Sequence, residues 1–371
     1  MKKIFSFFSA LLFCMLMFNT SAQYMDDPEI DDQNRVTFRV NAPNARVVKV
    51  VSWTDEEAMG AMEYTLNQGE DSIWTVTTNP CRPGFHYYHL DIDGFLCADP
   101  NSQVYFGWAK WSSGLEVPGE GLDFYLPRDT PRGQVITHWY NSKITGKLRK
   151  CLVYTPPDYN EDINRRYPVI YLQHGSGESQ LGWTMQGKVN FIMDNLIAKG
   201  KAKPMLIVMD NGYARPPEST INNSWQRGES RFEQNMLEDL IPEIDSKFRT
   251  IPERESRAVA GLSMGAGQAQ RVGFGNLETF ASIGAFSGGS RNFNVNTSYS
   301  GVFKDADEFN SKVKLYWIGC GNLDGAYEGA KNLHNKLNEH GIRHVFHEMH
   351  GSHEWQVWRH HIYEFAQKVF N

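Results

Sequence analysis

One pentapeptide in the chain, Gly261-Leu262-Ser263-Met264-Gly265, has residue types and spacing that suit nucleophilic catalysis. Gly-x-Ser-x-Gly occurs once. The apolar run Ala258-Val259-Ala260 precedes it, and the small-residue stretch Ala266-Gly267-Gln268-Ala269 follows. Strand, sharp turn, then helix is the context in which such a serine projects its Oγ above a sheet, the flanking glycines letting strand and helix approach. A serine hydroxyl is a poor nucleophile until a base takes its proton, so an acid and a histidine are expected downstream, in that order. Asp324 lies in the loop Cys320-Gly321-Asn322-Leu323-Asp324-Gly325, just past the expected strand Leu315–Ile318. It is the expected acid, with an alternative reading as a helix N-cap. Asp305 and Asp307 are rivals that fall before that strand. His353, in His350-Gly351-Ser352-His353-Glu354-Trp355, follows the next expected strand and is the expected base, with His350 its competitor. His360 and His361 fall within the last helix and read as packing or surface residues. The anion formed at the attacked carbonyl needs donors. The backbone N–H of Met264, the residue after the nucleophile, is one; the backbone N–H of Ser176, in His174-Gly175-Ser176-Gly177, is the other. His347-Glu348-Met349-His350 is not His-Glu-x-x-His, and no metal site or cofactor is expected.

Two kinds of element must hold these residues. From Arg35 to about residue 125 short alternating runs dominate: Val36–Val40, Val47–Val51, Ile73–Val76, and Phe85–Ile92 closed by the hairpin pair Asp93-Gly94. They predict a small all-β, immunoglobulin-like sandwich. The Gly-, Pro- and Asp-rich stretch 118–133 marks the boundary. Beyond it strands alternate with helices (168–172, 188–198, 205–209, 232–248 with Pro242 inside, 280–286, 315–318, 333–340, 345–349, 355–370), which predicts a mostly parallel sheet covered on both faces. The expected fold is α/β: an α/β-hydrolase over 126–371, preceded by the sandwich over 35–125. All expected catalytic residues lie after residue 170. The N-terminal part is therefore expected to be dispensable for the chemistry, with Trp108 and Trp111 as its candidates for pocket contact.

Lys2 and Lys3, the apolar run Ile4–Phe18 and Thr20-Ser21-Ala22 read as a signal peptide over 1–22, with a flexible leader over 23–34. Export to the periplasm or beyond is expected, with no membrane span in the mature chain; a retained N-terminal anchor is the alternative. A net charge of −6 argues against nucleic acid as a partner. Cys81, Cys97, Cys151 and Cys320 show no metal pattern and no disulfide framework, and read as isolated thiols. The chain holds 10 Trp, 16 Tyr and 22 Phe, enough to build aryl- or sugar-binding surfaces as well as cores.

Asp239-Leu240-Ile241-Pro242, Arg257 to Gly265, the His174-Gly175 loop and Gly351-Ser352-His353-Glu354-Trp355 together resemble carbohydrate esterase family 1, over roughly residues 130–371. That family includes feruloyl esterases, acetylxylan esterases and the esterase D group. The resemblance implies Ser263 as nucleophile, His353 as base and Asp324 as acid. Ala266 departs from the glycine pair often found after Ser-Met. Arg35–Val51 and Tyr88–Pro100 resemble the early-set sandwich of carbohydrate-binding module family 48. The pair of domains is similar to feruloyl esterases of bacteria that degrade plant polysaccharides, which implies a feruloylated xylan or xylo-oligosaccharide as substrate. Acetylxylan esterase and enterochelin-type esterase are the enzymatic alternatives. Acyl transfer to a sugar is a third possibility, and a carbohydrate-binding protein without activity is the non-enzymatic one. Aromatics near the expected loops, Trp183, Tyr213, Trp225, Tyr327 and Trp355, with Trp358 beside them, are the candidate contacts for an aryl acyl group.

Overall fold

The computed structural model describes residues 28–218, 231–288 and 292–371. The expected signal peptide and Trp225 lie outside the described residues. Strands β1–β10 run Glu29–Ile30, Val36–Asn41, Val48–Ser52, Glu63–Thr65, Asn67–Gln68, Ile73–Thr77, Gly84–Ile92, Phe95–Cys97, Val104–Gly107 and Lys110–Val117. They form two antiparallel sheets, ordered β1-β2-β6-β5 and β4-β3-β7-β10-β9, with β8 also on β7. The alternation read from Val36–Val40 is real: Val36, Phe38 and Val40 are buried, Arg39 and Asn41 are not, and the buried set packs on Val48, Val50, Tyr88 and Leu90 of the facing sheet. Asp93 and Gly94, both at positive φ, turn β7 into β8.

Strands β11–β18 run Gln134–Ser142, Lys147–Thr155, Val169–Gln173, Leu206–Met209, Arg257–Leu262, Ser282–Phe286, Leu315–Gly321 and Val345–Met349. They build one sheet in the order β11-β12-β14-β13-β15-β16-β17-β18. The hairpin β11–β12 and its pairing with β14 are antiparallel, and every later pairing is parallel. Central strands such as β13, β14, β15 and β16 are buried throughout, because helices cover both faces and no residue on them meets water. The helical run from Phe232 to Lys247 passes Pro242 without a break. Asn235–Leu240 forms a π-turn, and Pro242 stands at the start of the next segment, where its missing N–H leaves few bonds unmade. Cys81, Cys97, Cys151 and Cys320 are unbonded thiols. Among the described residues no helix is long and apolar enough to cross a membrane.

The sandwich does not hang free of the sheet domain. Phe85, Tyr87 and Tyr105 belong to the same buried cluster as Trp183, Trp355 and Phe365. Arg359 of the C-terminal helix (Trp355–Ala366) forms a two-pronged ion pair with Glu116 of β10 at 2.6 and 2.9 Å. That continuity conflicts with a dispensable N-terminal part, and the site geometry makes the conflict sharper.

Candidate active site

All the groups of interest sit at the carboxyl ends of parallel strands, where backbone N–H groups and loop side chains converge in open α/β sheets. Ser263 follows β15 with φ 52° and ψ −115°, a strained backbone that only a tight turn imposes. The flanking glycines are required by contact: a Cβ on Gly261 would lie 2.6 Å from Gly265, and one on Gly265 would lie 2.6 Å from the His174 carbonyl oxygen. Ala266 is accommodated because Gly288 faces it, where a Cβ would come within 2.3 Å of the alanine methyl. Met264 is the first residue of the helix Met264–Gly275, so its N–H is one of the four at the helix start that no intrahelical carbonyl takes up.

Asp324 follows β17 and His353 follows β18. Nδ1 of His353 lies 2.9 Å from Oδ2 and 3.1 Å from Oδ1 of Asp324. A carboxylate only accepts, so Nδ1 carries the proton and Nε2 presents its lone pair. Burial pushes the Asp324 carboxyl up, but the hydrogen bond and charge of His353, with the Ala326 N–H at 2.8 Å, outweigh it and hold the group below the usual carboxylate range. Asp305 instead caps the helix Ala306–Lys312 by accepting the Glu308 N–H, and Asp307 lies within that helix. His350 bonds Glu57 at 3.0 Å. His361 is buried against Phe286. None of these rivals meets the pair.

The loop after β13 brings Gly175 and Ser176 to the same cleft, which is also lined by Trp108, Glu178, Leu262, Ser263, His353 and Trp358. The loop is braced from beneath. Gly212 N–H donates to His174 Nε2 at 3.0 Å, which leaves His174 Nδ1–H to donate to the Gly175 carbonyl at 2.8 Å. Desolvation lowers the imidazole pKa to about 4, the Arg149 charge adding to it, so His174 is neutral at working pH. The Gly177 N–H donates to the Tyr213 hydroxyl at 2.7 Å.

Four of the aromatics expected to contact substrate have other roles. Trp183 is fully buried and donates to the Gln173 carbonyl at 2.9 Å, so it is core. Tyr213 spends its hydroxyl on Gly177 and lies against His174, bracing the loop. Tyr327 donates its hydroxyl to Glu348 of β18 and is not among the residues lining the cleft. Trp355 is buried, its indole N–H turned to the Tyr87 hydroxyl at 3.1 Å, and lines a smaller cavity that shares Trp108, His353 and Trp358 with the cleft. Trp358 does line the cleft, edge-on to His353 with ring centroids 5.0 Å apart. Trp108 reaches it from the sandwich, as the tip of the β9–β10 hairpin. Trp108 and Ala109 both have positive φ (54° and 62°), a turn normally made with Asn or Gly. The Ala109 N–H donates to the Gly177 carbonyl at 2.8 Å, and a Cβ on Gly177 would strike that nitrogen. The strained turn is thus clamped onto the loop that carries Ser176, and the N-terminal part is not a bystander to the cleft.

Sequence reasoning missed Glu178, buried on this loop at the edge of the cleft. Its carboxyl meets Tyr87 OH and Trp355 Nε1, each at 3.3 Å, and Gln186 Nε2 at 3.3 Å, with no cation among these partners. Desolvation raises its pKa to about 8 against the lowering effect of the Trp355 and Tyr87 bonds. An acid raised in the folded state is neutral there while the unfolded chain ionises from about pH 4.5 upward. It therefore costs stability as pH rises through that window, by roughly 1.4 kcal/mol per pH unit, and the loss levels off above about 8. Glu178→Gln is expected to flatten the decline of Tm between pH 5 and 8. An unchanged slope in a differential scanning series would show the group to be ionised.

The Esterase family model matches residues 142–368. An endo-1,4-beta-xylanase/feruloyl esterase of Xylanibacter ruminicola is 36% identical over 352 residues, which cover 92% of this chain and 46% of that protein, so the chain spans about half the relative's length. Among solved structures, a CE1 ferulic acid esterase from Anaeromyces mucronatus, in complex with ferulic acid, superposes with a TM-score of 0.58 at 25% identity, over 67% of this chain and 95% of its own. The enterobactin esterase of Shigella flexneri superposes with a TM-score of 0.68 at 15% identity, over 93% and 96%. At that identity the likeness is one of fold, and it extends over both domains.

Proposed function

The chain belongs to the Esterase family, and from that premise we propose that it is an exported serine hydrolase that cleaves feruloyl and related hydroxycinnamoyl esters from xylan or xylo-oligosaccharides. One observation carries the substrate reading: the cleft that holds Ser263 beside the His353–Asp324 pair is walled by two indoles, Trp108 and Trp358. An aryl acyl group gains about 0.5–1.5 kcal/mol per ring contact beyond its area burial. The relative from Xylanibacter ruminicola and the Anaeromyces mucronatus enzyme, by the names they carry, support the same acyl group.

The chemistry follows from the residue positions. Ser263 Oγ attacks the ester carbonyl as His353 Nε2 takes its proton, and Asp324 steadies the resulting imidazolium through Nδ1. The carbonyl oxygen, now an anion, is met by the N–H groups of Met264 and Ser176. The C–O bond to the sugar breaks as His353 returns the proton to the leaving oxygen. Water, deprotonated by His353, then attacks the acyl-Ser263 ester, releases the acid and restores the serine.

Methyl ferulate and methyl acetate share a leaving group, so their kcat/KM ratio isolates the acyl contacts. Two ring contacts realised in the transition state give an expected preference of roughly tenfold or more for ferulate. Equal or faster cleavage of the acetate would sink the feruloyl reading and promote acetylxylan esterase. Products formed with and without xylo-oligosaccharide present separate hydrolysis from acyl transfer.

A further inference from the structure

The residue after the base is an acid with almost no access to water. The Glu354 side chain is 2% exposed, and it turns away from the N-terminus of the helix it precedes. Its charge is met from the other domain. Arg82, in the sandwich just before β7, donates from Nη2 to Glu354 Oε1 at 2.7 Å. The same guanidinium donates to Asp55 at 2.7 Å and to Glu57 at 3.1 Å, and is itself only 14% exposed. His86 of β7 completes the cluster. Its Nε2 lies 2.6 Å from the Arg82 carbonyl oxygen, and its Nδ1 faces Glu354 Oε2 at 3.4 Å. On the Glu354 side, Oε1 is also near the Ser352 N–H at 3.4 Å, and the Glu354 N–H donates to the Ser352 carbonyl at 3.0 Å. Both flanks of His353 are therefore tied to one carboxylate, and that carboxylate is tied to one arginine across the domain boundary.

We propose that Arg82 is a positioning residue for the base: by gripping Glu354 from the N-terminal sandwich it fixes the backbone on which His353 stands. The inference rests on the reading of His353 as the base given above. The loop has other ties, the Leu323 N–H to the Gly351 carbonyl at 3.0 Å and His353 Nδ1 to Asp324 at 2.9 Å, but neither holds the Glu354 carboxylate. Without the guanidinium, Glu354 and Asp55 would be left as buried or half-buried carboxylates that had shared a single nitrogen, and an unpaired buried charge moves toward water. That movement carries His353 away from Ser263 while the cleft walls stay in place. The sandwich is then part of the catalytic apparatus, although it supplies no group that touches the reacting atoms.

The test uses the full chain and 4-nitrophenyl acetate, whose cleavage needs the base whatever the natural acyl group is. Ser263→Ala and His353→Ala are measured alongside. If either retains near-native kcat, the reading of the site fails, and the Arg82 result is then interpreted separately. With both inactive, Arg82→Met is expected to lower kcat by on the order of 10–100-fold with KM within about threefold of native, because misplacing a reacting group by about 1 Å costs that much. Adding Glu354→Gln to Arg82→Met removes the stranded charge and is expected to recover kcat to within about fivefold of native. Glu116→Gln breaks a separate interdomain ion pair, that with Arg359, and is expected to lower Tm with kcat unchanged; this separates positioning from docking stability. Native kcat in folded Arg82→Met, or a loss that Glu354→Gln does not relieve, overturns the proposal. If Arg82→Met does not fold, Arg82→Lys decides: it keeps the charge but not the three-way grip. A fall in kcat of about threefold or more is expected, and native kcat overturns the proposal.

Discussion

Ser263→Ala is expected to leave a folded protein that has lost nearly all turnover, with kcat/KM down by about 10⁴-fold or more and methyl ferulate still bound. The substitution deletes one atom at a half-buried position and leaves Gly261, Gly265 and the strained elbow in place, so the fold has no reason to change. The effect falls on a single step. On the mechanism proposed above, with Oγ gone the His353–Asp324 pair has no hydroxyl to deprotonate, and no acyl-enzyme forms. What remains on that proposal is binding and the N–H groups assigned to Met264 and Ser176; in serine hydrolases lacking a triad member such groups sustain only a residual acceleration of about 10³–10⁴-fold over water. A tryptophan-quenching titration with ferulate gives the binding arm, reporting through Trp108 and Trp358. Initial rates give the chemical arm. Native-like hydrolysis by the purified variant would remove Ser263 from the mechanism.

How far the residues announced this site depends on the distance over which each signal acts. The elbow is local: strand, glycine, serine, glycine and helix lie within about a dozen positions, and no remote partner is needed to see them. That Asp324 and His353 would meet was legible because each follows the carboxyl end of a strand, and parallel pairing of β17 with β18 sets those ends side by side. The aromatics were not legible in the same way. Trp183 and Trp355 lie near the expected loops in sequence, but side-chain direction decides whether an indole faces cleft or core, and both point inward. The network under the cleft was invisible for a different reason. Glu178 meets Tyr87 across 91 positions, and Trp355 meets the same tyrosine across 268. Arg82 reaches Glu354 across 272. No spacing rule links such pairs. The turn at Trp108-Ala109 was hidden because its positive φ values are imposed by the contact with Gly177 rather than by turn-forming residues.

Asp324→Asn is expected to lower kcat/KM by about 10⁴-fold while the protein stays folded. The geometry says which way the new amide turns. Oδ1 of Asp324 accepts the Ala326 N–H at 2.8 Å, and that bond survives only if the amide oxygen stays there. The NH₂ group then takes the place of Oδ2, 2.9 Å from His353 Nδ1. Two donors cannot face each other, so His353 moves its proton to Nε2 and loses the lone pair that Ser263 needs. The negative charge that steadies the imidazolium is lost as well. A stability signature accompanies the loss. The native carboxyl is held below its ordinary range, so it contributes stability that is present above the unfolded carboxylate pKa and fades as pH falls through the lowered folded value. The Tm difference between native protein and variant is therefore expected to be larger at pH 7 than at pH 3. Asp305→Asn and Asp307→Asn serve as the comparison. Asp305 caps a helix, where asparagine serves about as well as aspartate, so both variants are expected to keep native kcat/KM. A mild Asp324→Asn beside a damaging change at 305 or 307 would move the acid elsewhere, and with it the account of how His353 is held in its working tautomer.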